Sequence, residues 1–129
     1  MPAELEVGVL LIVKDVKRSR EYYEHVFNGK ILEKEDPAIV RVANVLLFIN
    51  NGGGPTDDKP AVTAVAPVQA DHDRLSIAMN FRVADVHECY KLWKERGAHF
   101  LTEPKDHGDE IRCYIRDPDG YLIEVGQDT

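Results

Sequence analysis

Glu124 is the residue best placed for chemistry, because it stands between Leu122, Ile123 and Val125 in a strand-like run. A carboxylate carried into such surroundings is costly to keep charged and alone. It must pair with a cation, accept hydrogen bonds or take up a proton. Each solution is a different chemistry: a paired or hydrogen-bonded Glu124 anchors an amine of a bound molecule, whereas one with a raised pKa serves as a general base. Arg112 and Tyr114 share one face of the preceding strand and are the partners the sequence offers, unless Arg112 faces solvent instead.

The remaining reactive types offer less. His25 and His87 fall on predicted helices, His72 in a linker, and His107 in the turn-like Asp106-His107-Gly108-Asp109, so none of these sits where a strand would aim it inward. Cys89 and Cys113 have no neighbouring base and read as structural thiols. Gly52-Gly53-Gly54 lacks the Lys-Ser/Thr and following helix of a phosphate-cradling loop. Tyr22, Tyr23, Tyr90 and Trp93 lie at helical spacing, where aromatics usually build a core or a contact between subunits.

The elements that must position Glu124 come from an internal repeat. Val13-Lys14-Asp15-Val16 superposes on Val83-Ala84-Asp85-Val86, and each copy runs from an alternating strand (Val7 to Val13; Ile77 to Val83) into an Asp suited to cap a helix. The helices carry Val16, Ser19, Tyr23, Val26 and Phe27 in the first copy and Val86, Cys89, Tyr90 and Trp93 in the second, with Gly29 and Gly97 where a left-handed cap is wanted. Period-two runs follow at Ile31–Glu33, Ala38–Val42 and Val45–Ile49, then His99–Leu101, Ile111–Arg116 and Tyr121–Val125. The expectation is βαβββ twice. Asp117-Pro118-Asp119-Gly120 should turn the last hairpin and Val42-Ala43-Asn44 the earlier one, with Asn44 in the left-handed region. These features predict one domain over 1–129, with modules at about 5–50 and 75–127 and a linker at 51–74 that is a lid, an arm or a plain connector.

Composition narrows the function. With 43% hydrophobic and 30% charged residues the chain is globular, and its length allows a real core. A formal charge of -7 without any Lys/Arg run argues against nucleic acid or an anionic membrane, and the acidic excess, larger in the second half, favours a cationic or neutral ligand. Two cysteines make no disulfide framework, and MPAELEVGVL has no signal-peptide pattern, so a cytoplasmic protein is expected.

Tandem βαβββ copies, each opening strand-Asp-Val-helix, together with Arg116-Asp117-Pro118-Asp119-Gly120-Tyr121-Leu122-Ile123-Glu124, resemble the vicinal oxygen chelate superfamily of glyoxalases, bleomycin resistance proteins and extradiol dioxygenases. The resemblance spans Glu6 to Gln127 and implies an α+β fold of two modules forming incomplete barrels around a cavity, commonly completed in a homodimer. It also implies a divalent ion held by a His on the opening strand of each copy and a Glu on the last strands. The matching positions here are Gly8, Ala78, Phe48 (or Leu47) and Glu124, so Glu124 alone keeps a ligand. A displaced oxygen-rich site of Glu6, Asn80 and Glu124 is conceivable, although Glu6 also reads as a solvated strand-end carboxylate and Asn80 as a pocket-lining amide. The dioxygenase signature is matched in part by Tyr114-Ile115-Arg116-Asp117-Pro118-Asp119-Gly120 with Glu124, but Cys113 and Lys105 depart from it.

The expected function is metal-free binding of a small organic molecule, cationic or neutral, by Glu6, Phe48, Asn80, Arg112, Tyr114 and Glu124, with no cofactor. The alternative is a lyase, isomerase or dioxygenase of the glyoxalase type, using one divalent metal ion or Glu124 as its base.

Overall fold

The computed structural model describes residues 4–35 and 37–129, which form two compact units meeting between Ala66 and Pro67. In the first, β1 (Gly8–Ile12), α1 (Val16–Phe27), β2 (Lys30–Glu33), β3 (Ala38–Val42) and β4 (Val45–Asn50) give a four-stranded sheet ordered β1-β4-β3-β2. In the second, β5 (Met79–Arg82), α2 (Val86–Glu95), β6 (His99–Phe100), β7 (Lys105–Asp106), β8 (Glu110–Arg116) and β9 (Leu122–Asp128) give the order β5-β9-β8-β6, with β7 also on β8. In both units the opening strand runs parallel to the closing one, and neither sheet closes into a barrel. The predicted α+β repeat of βαβββ modules is present.

The helices start where their caps dictate. Asp15 accepts from the Arg18 amide at 3.0 Å and Asp85 from the Glu88 amide at 3.1 Å, each satisfying one orphan donor of a first turn. Their ends differ. Gly97 is left-handed (φ 104) as predicted, but in the first unit Asn28, not Gly29, takes that conformation (φ 58). Gly29 is required for space instead, since a Cβ there would lie 2.8 Å from the Tyr23 carbonyl oxygen and from Val40 Cγ1. The β3–β4 turn is likewise corrected: Ala43 carries the positive φ (50), not Asn44.

Each helix covers one face of its own sheet. Val40, Leu47 and Ile49 are fully buried on the α1 side with Tyr23 and Val26; Ile115, Ile123 and Val125 are fully buried on the α2 side, where Trp93 meets Phe81 edge-on at 6.3 Å and Tyr90 meets Phe100 at 4.7 Å. Each buried aliphatic side chain contributes about 1.5–3 kcal/mol. Because strand residues alternate, the intervening residues lie on the opposite face, which carries no helix of its own unit. In the first sheet the centre of that face is apolar, with Leu10, Phe48 and Ile39 in register, and Arg41 and Lys30 lie toward one end of it.

The segment between the modules is ordered. Gly53 and Ala64 exchange backbone hydrogen bonds at 2.9 and 2.8 Å, closing the neck of a loop whose interior is held by Lys59, with Nζ donating to the carbonyls of Gly54 (2.7 Å) and Val62 (3.0 Å). A 3-10 turn at Gln69–Asp71 follows. Among the described residues no helix is long and apolar enough to cross a membrane.

Candidate functional site

Strand register brings the polar residues of the second unit onto the sheet face turned away from α2. Tyr114 of β8, Glu124 of β9 and Asn80 of β5 form one row, and Arg112, Gly126 and Arg82 form the next, with Lys105 of β7 beside Arg112. Glu110 and Asp128 are opposite each other in the row after that.

The centre is a pair. Tyr114 Oη donates to Glu124 Oε2 at 2.6 Å, the length of a charge-assisted hydrogen bond. That bond, more than burial or the nearby carboxylate charge, holds the Tyr114 pKa above the ordinary phenol value, because the donor form is the one Glu124 stabilises. Glu124 therefore satisfies its half-buried carboxylate by accepting a hydrogen bond, and Oε1 remains as an acceptor for something else.

The neighbouring row is an ion-pair ladder. Arg82 reaches Asp128 Oδ1 at 2.6 Å, Glu110 Oε1 at 3.2 Å and Asn80 Oδ1 at 3.5 Å, and its pKa is raised chiefly by the Glu110 hydrogen bond. Arg112 pairs with Glu110 Oε2 at 3.4 Å, so its carboxylate is Glu110 rather than Glu124. Gly126 makes the ladder possible: a Cβ there would stand 2.3 Å from Arg82 Nη1 and 3.0 Å from Glu110 Oε1.

The far end of the face is fixed by Arg116. Its Nη1 donates to the carbonyls of His72 (2.8 Å) and Gly120 (3.2 Å), and Nη2 reaches Asp73 Oδ1 at 3.3 Å. Gly120 (φ 94) also leaves the space that the His72 ring fills, with Nε2 only 2.5 Å from where a Cβ would be. The buried Asp117 carboxylate holds the turn by accepting from the amides of Asp119 (3.0 Å) and Tyr121 (2.9 Å).

Of the six predicted residues, the structure brings Asn80, Arg112, Tyr114 and Glu124 together. Glu6 and Phe48 belong to the first unit. Glu6 is exposed and pairs with Arg41 at 3.2 Å, and the Phe48 ring lies where Gly8 has no side chain, with Cε2 at 2.5 Å from a Cβ built there. Sequence reasoning missed Arg82, Glu110 and Arg116. The alternation Glu110, Arg112, Tyr114, Arg116 along one strand was the available signal.

The residues do not fit the divalent ion that the resemblance implies. Gly8, Ala78 and Phe48 occupy ligand positions, Glu124 already accepts from a phenol, and among the described residues no three His, Cys, Asp or Glu side chains are grouped to hold a metal. A cleft of about 260 Å³ in the first unit, lined by Val16, Glu35, Ile49, Asn50 and Asn51, is a weaker candidate site. Each of its two amides is partly engaged by the backbone: Asn51 Nδ2 donates to the carbonyls of Val13 and Lys14, and Asn50 Oδ1 accepts from the Gly52 amide.

Comparison with known proteins gives a consistent picture. The family model of the Glyoxalase/Bleomycin resistance protein/Dioxygenase superfamily matches residues 7–125. A lactoylglutathione lyase of Neisseria meningitidis is 26% identical over 125 residues, covering 92% of this chain and 86% of that protein. Among solved structures, a glyoxalase/bleomycin resistance protein/dioxygenase from Nocardioides superposes with a TM-score of 0.73 at 16% identity, covering 99% of this chain and 85% of that one. The genomically encoded fosfomycin resistance protein FosX from Listeria monocytogenes gives 0.69 at 20% identity, covering 100% and 96%. At such identities the superpositions show a shared fold.

Proposed function

Since the chain belongs to the glyoxalase/bleomycin resistance protein/dioxygenase superfamily, we propose that it binds a small organic molecule on the open face of its second sheet without a catalytic metal. The observation that carries this reading is the 2.6 Å bond from Tyr114 to Glu124. It gives the carboxylate a protein partner where a metal-dependent member has an ion, and leaves Oε1 to receive a donor of the ligand. The helix-buried side of the sheet keeps the strands rigid beneath it, which favours recognition by preset polar groups.

The likeness to a lactoylglutathione lyase favours a second reading, a metal-free isomerase. In it Glu124 takes the proton from a hydroxyl-bearing carbon beside a carbonyl as the C–H electron pair moves into an enediolate. It then returns the proton to the former carbonyl carbon, while the hydroxyl proton passes to that carbon's oxygen and a new carbonyl forms at the first carbon.

Elemental analysis of freshly purified protein, bleomycin binding and a turnover assay separate the readings. Substoichiometric metal, with a thermal shift on adding cationic bleomycin that Glu124→Gln abolishes, is the expected result. Near-stoichiometric divalent metal that is lost in Glu124→Ala would overturn it. Turnover of the methylglyoxal–glutathione hemithioacetal that disappears in folded Glu124→Gln would establish the isomerase.

A homodimer is part of the same proposal. Leu5 and Leu75, and Val7 and Ile77, are equivalent positions of the two copies, and all four are exposed, Leu5 and Ile77 by about nine-tenths. Repeated apolar exposure of this kind favours a partner surface. Light scattering should give twice the chain mass, falling to one chain mass in Leu5→Asp/Ile77→Asp.

A further inference from the structure

Resting on the reading that Glu124 is the binding centre, we propose that the occupant is a zwitterion, with an ammonium at Glu124 and a carboxylate at Arg112 and Lys105. The argument begins with the uneven sharing of charge in the ladder beside Glu124. Three cations, Arg82, Arg112 and Lys105, stand in one row across the sheet, and among the described residues only Glu110 and Asp128 pair with them. Arg82 takes the larger share, holding Asp128 at 2.6 Å and Glu110 at 3.2 Å. Arg112 is left with one long contact, 3.4 Å to the other oxygen of Glu110, while its side chain is 35% accessible. A guanidinium has five N–H donors in a fork matched to a carboxylate, so most of its donor capacity is unused. Lys105, exposed next to it, has no ion-pair partner among the described residues. This end of the face carries an excess positive charge in a chain whose formal charge is -7.

Gly126 strengthens the case. It stands between Arg112 and Arg82 with no side chain, and the Arg82 guanidinium lies over its backbone. The strip between the two arginines is therefore floored by backbone and guanidinium rather than by a bulky side chain of β9.

Geometry sets the ligand. The Arg112 row and the Glu124 row are two residues apart along the strands, about 7 Å at the usual rise. A molecule that satisfies both has its ammonium and carboxylate separated by about that distance, as an ω-amino acid does and an α-amino acid does not.

Titration of the isotope-labelled full chain by nuclear magnetic resonance tests this with pentylamine, caproate, γ-aminobutyrate and ε-aminocaproate. The expected result is that ε-aminocaproate shifts the β8 and β9 amides and binds at least about tenfold more tightly than pentylamine or caproate, as a charged hydrogen bond allows. Arg112→Gln should erase that advantage while leaving pentylamine binding in place, with Lys105→Gln weakening ε-aminocaproate less. Spectral dispersion verifies that each variant is folded. Equal binding of pentylamine or caproate and ε-aminocaproate, no effect of Arg112→Gln, or no binding by any of the four overturns the zwitterion. The metal-free reading falls only to its own elemental analysis, so the two failures are distinct.

Discussion

Tyr114 keeps its proton above the pH at which a free phenol loses it, because Glu124 stabilises the donor form. A folded-state pKa raised in this way makes its stabilisation complete below about pH 10 and drains it as pH climbs through the raised value. Wild type and Tyr114→Phe should accordingly differ by about 1–2 kcal/mol in denaturant unfolding at neutral pH, with the gap closing in strongly alkaline buffer. A gap that persists unchanged at high pH would mean that the hydroxyl stabilises the fold by something other than donating its proton to Glu124. Cys113 gives a second prediction. Burial pushes its thiol up to about 11, with Cys89 adding to the shift, so at pH 8 it should resist a thiol reagent until the protein unfolds, and mass spectrometry of the labelled peptide reads this directly. Glu124 and its phenol partner were legible in the sequence, because a carboxylate in an apolar strand demands a partner and the preceding strand offers Arg112 and Tyr114 on one face. That Arg112 would turn to Glu110, two residues back on the same strand, was not, because the direction a long side chain takes along its strand is settled by packing. Arg82 was hidden because β5 joins β9 only through the parallel crossover.

At the scale of elements, turns decide more than propensities. Gly97 and Gly120 are both left-handed, but nothing stands within 4 Å of a Cβ at Gly97, whereas His72 fills the space at Gly120. Gly97→Ala should therefore cost about 1–2 kcal/mol, the strain of the backbone alone. Gly120→Ala should cost clearly more, and His72→Ala should recover the difference in a double-mutant cycle of unfolding free energies. Additive effects would show that the ring and the turn are independent. Helix starts and the βαβββ order were readable because Asp caps and the switch of period are local signals. The errors at Gly29 and Asn44 share a cause: each residue was credited with the left-handed conformation that its neighbour adopts, Asn28 in one case and Ala43 in the other. The strand predicted over His99–Leu101 is only His99–Phe100, and β7 resumes after Pro104, which has no amide to donate to β8.

For the whole molecule, duplication has produced two sheets of opposite character. The face left open in the first unit is apolar around Leu10 and Phe48, and that of the second is a lattice of charge, so copies alike in topology have diverged in what they can recognise. The repeat was visible as a four-residue stretch with three identities at one offset; the divergence was not, because which face a helix covers is settled by packing. The segment joining the copies is tied shut at Gly53 and Ala64. A knot at the base uncouples the tip from everything outside it, and lengthening a loop costs only about 0.6 kcal/mol per doubling. A peptide tag inserted between Asp57 and Asp58 should leave the melting temperature within a few degrees of the parent, which would make this spot the natural handle for immobilising the protein.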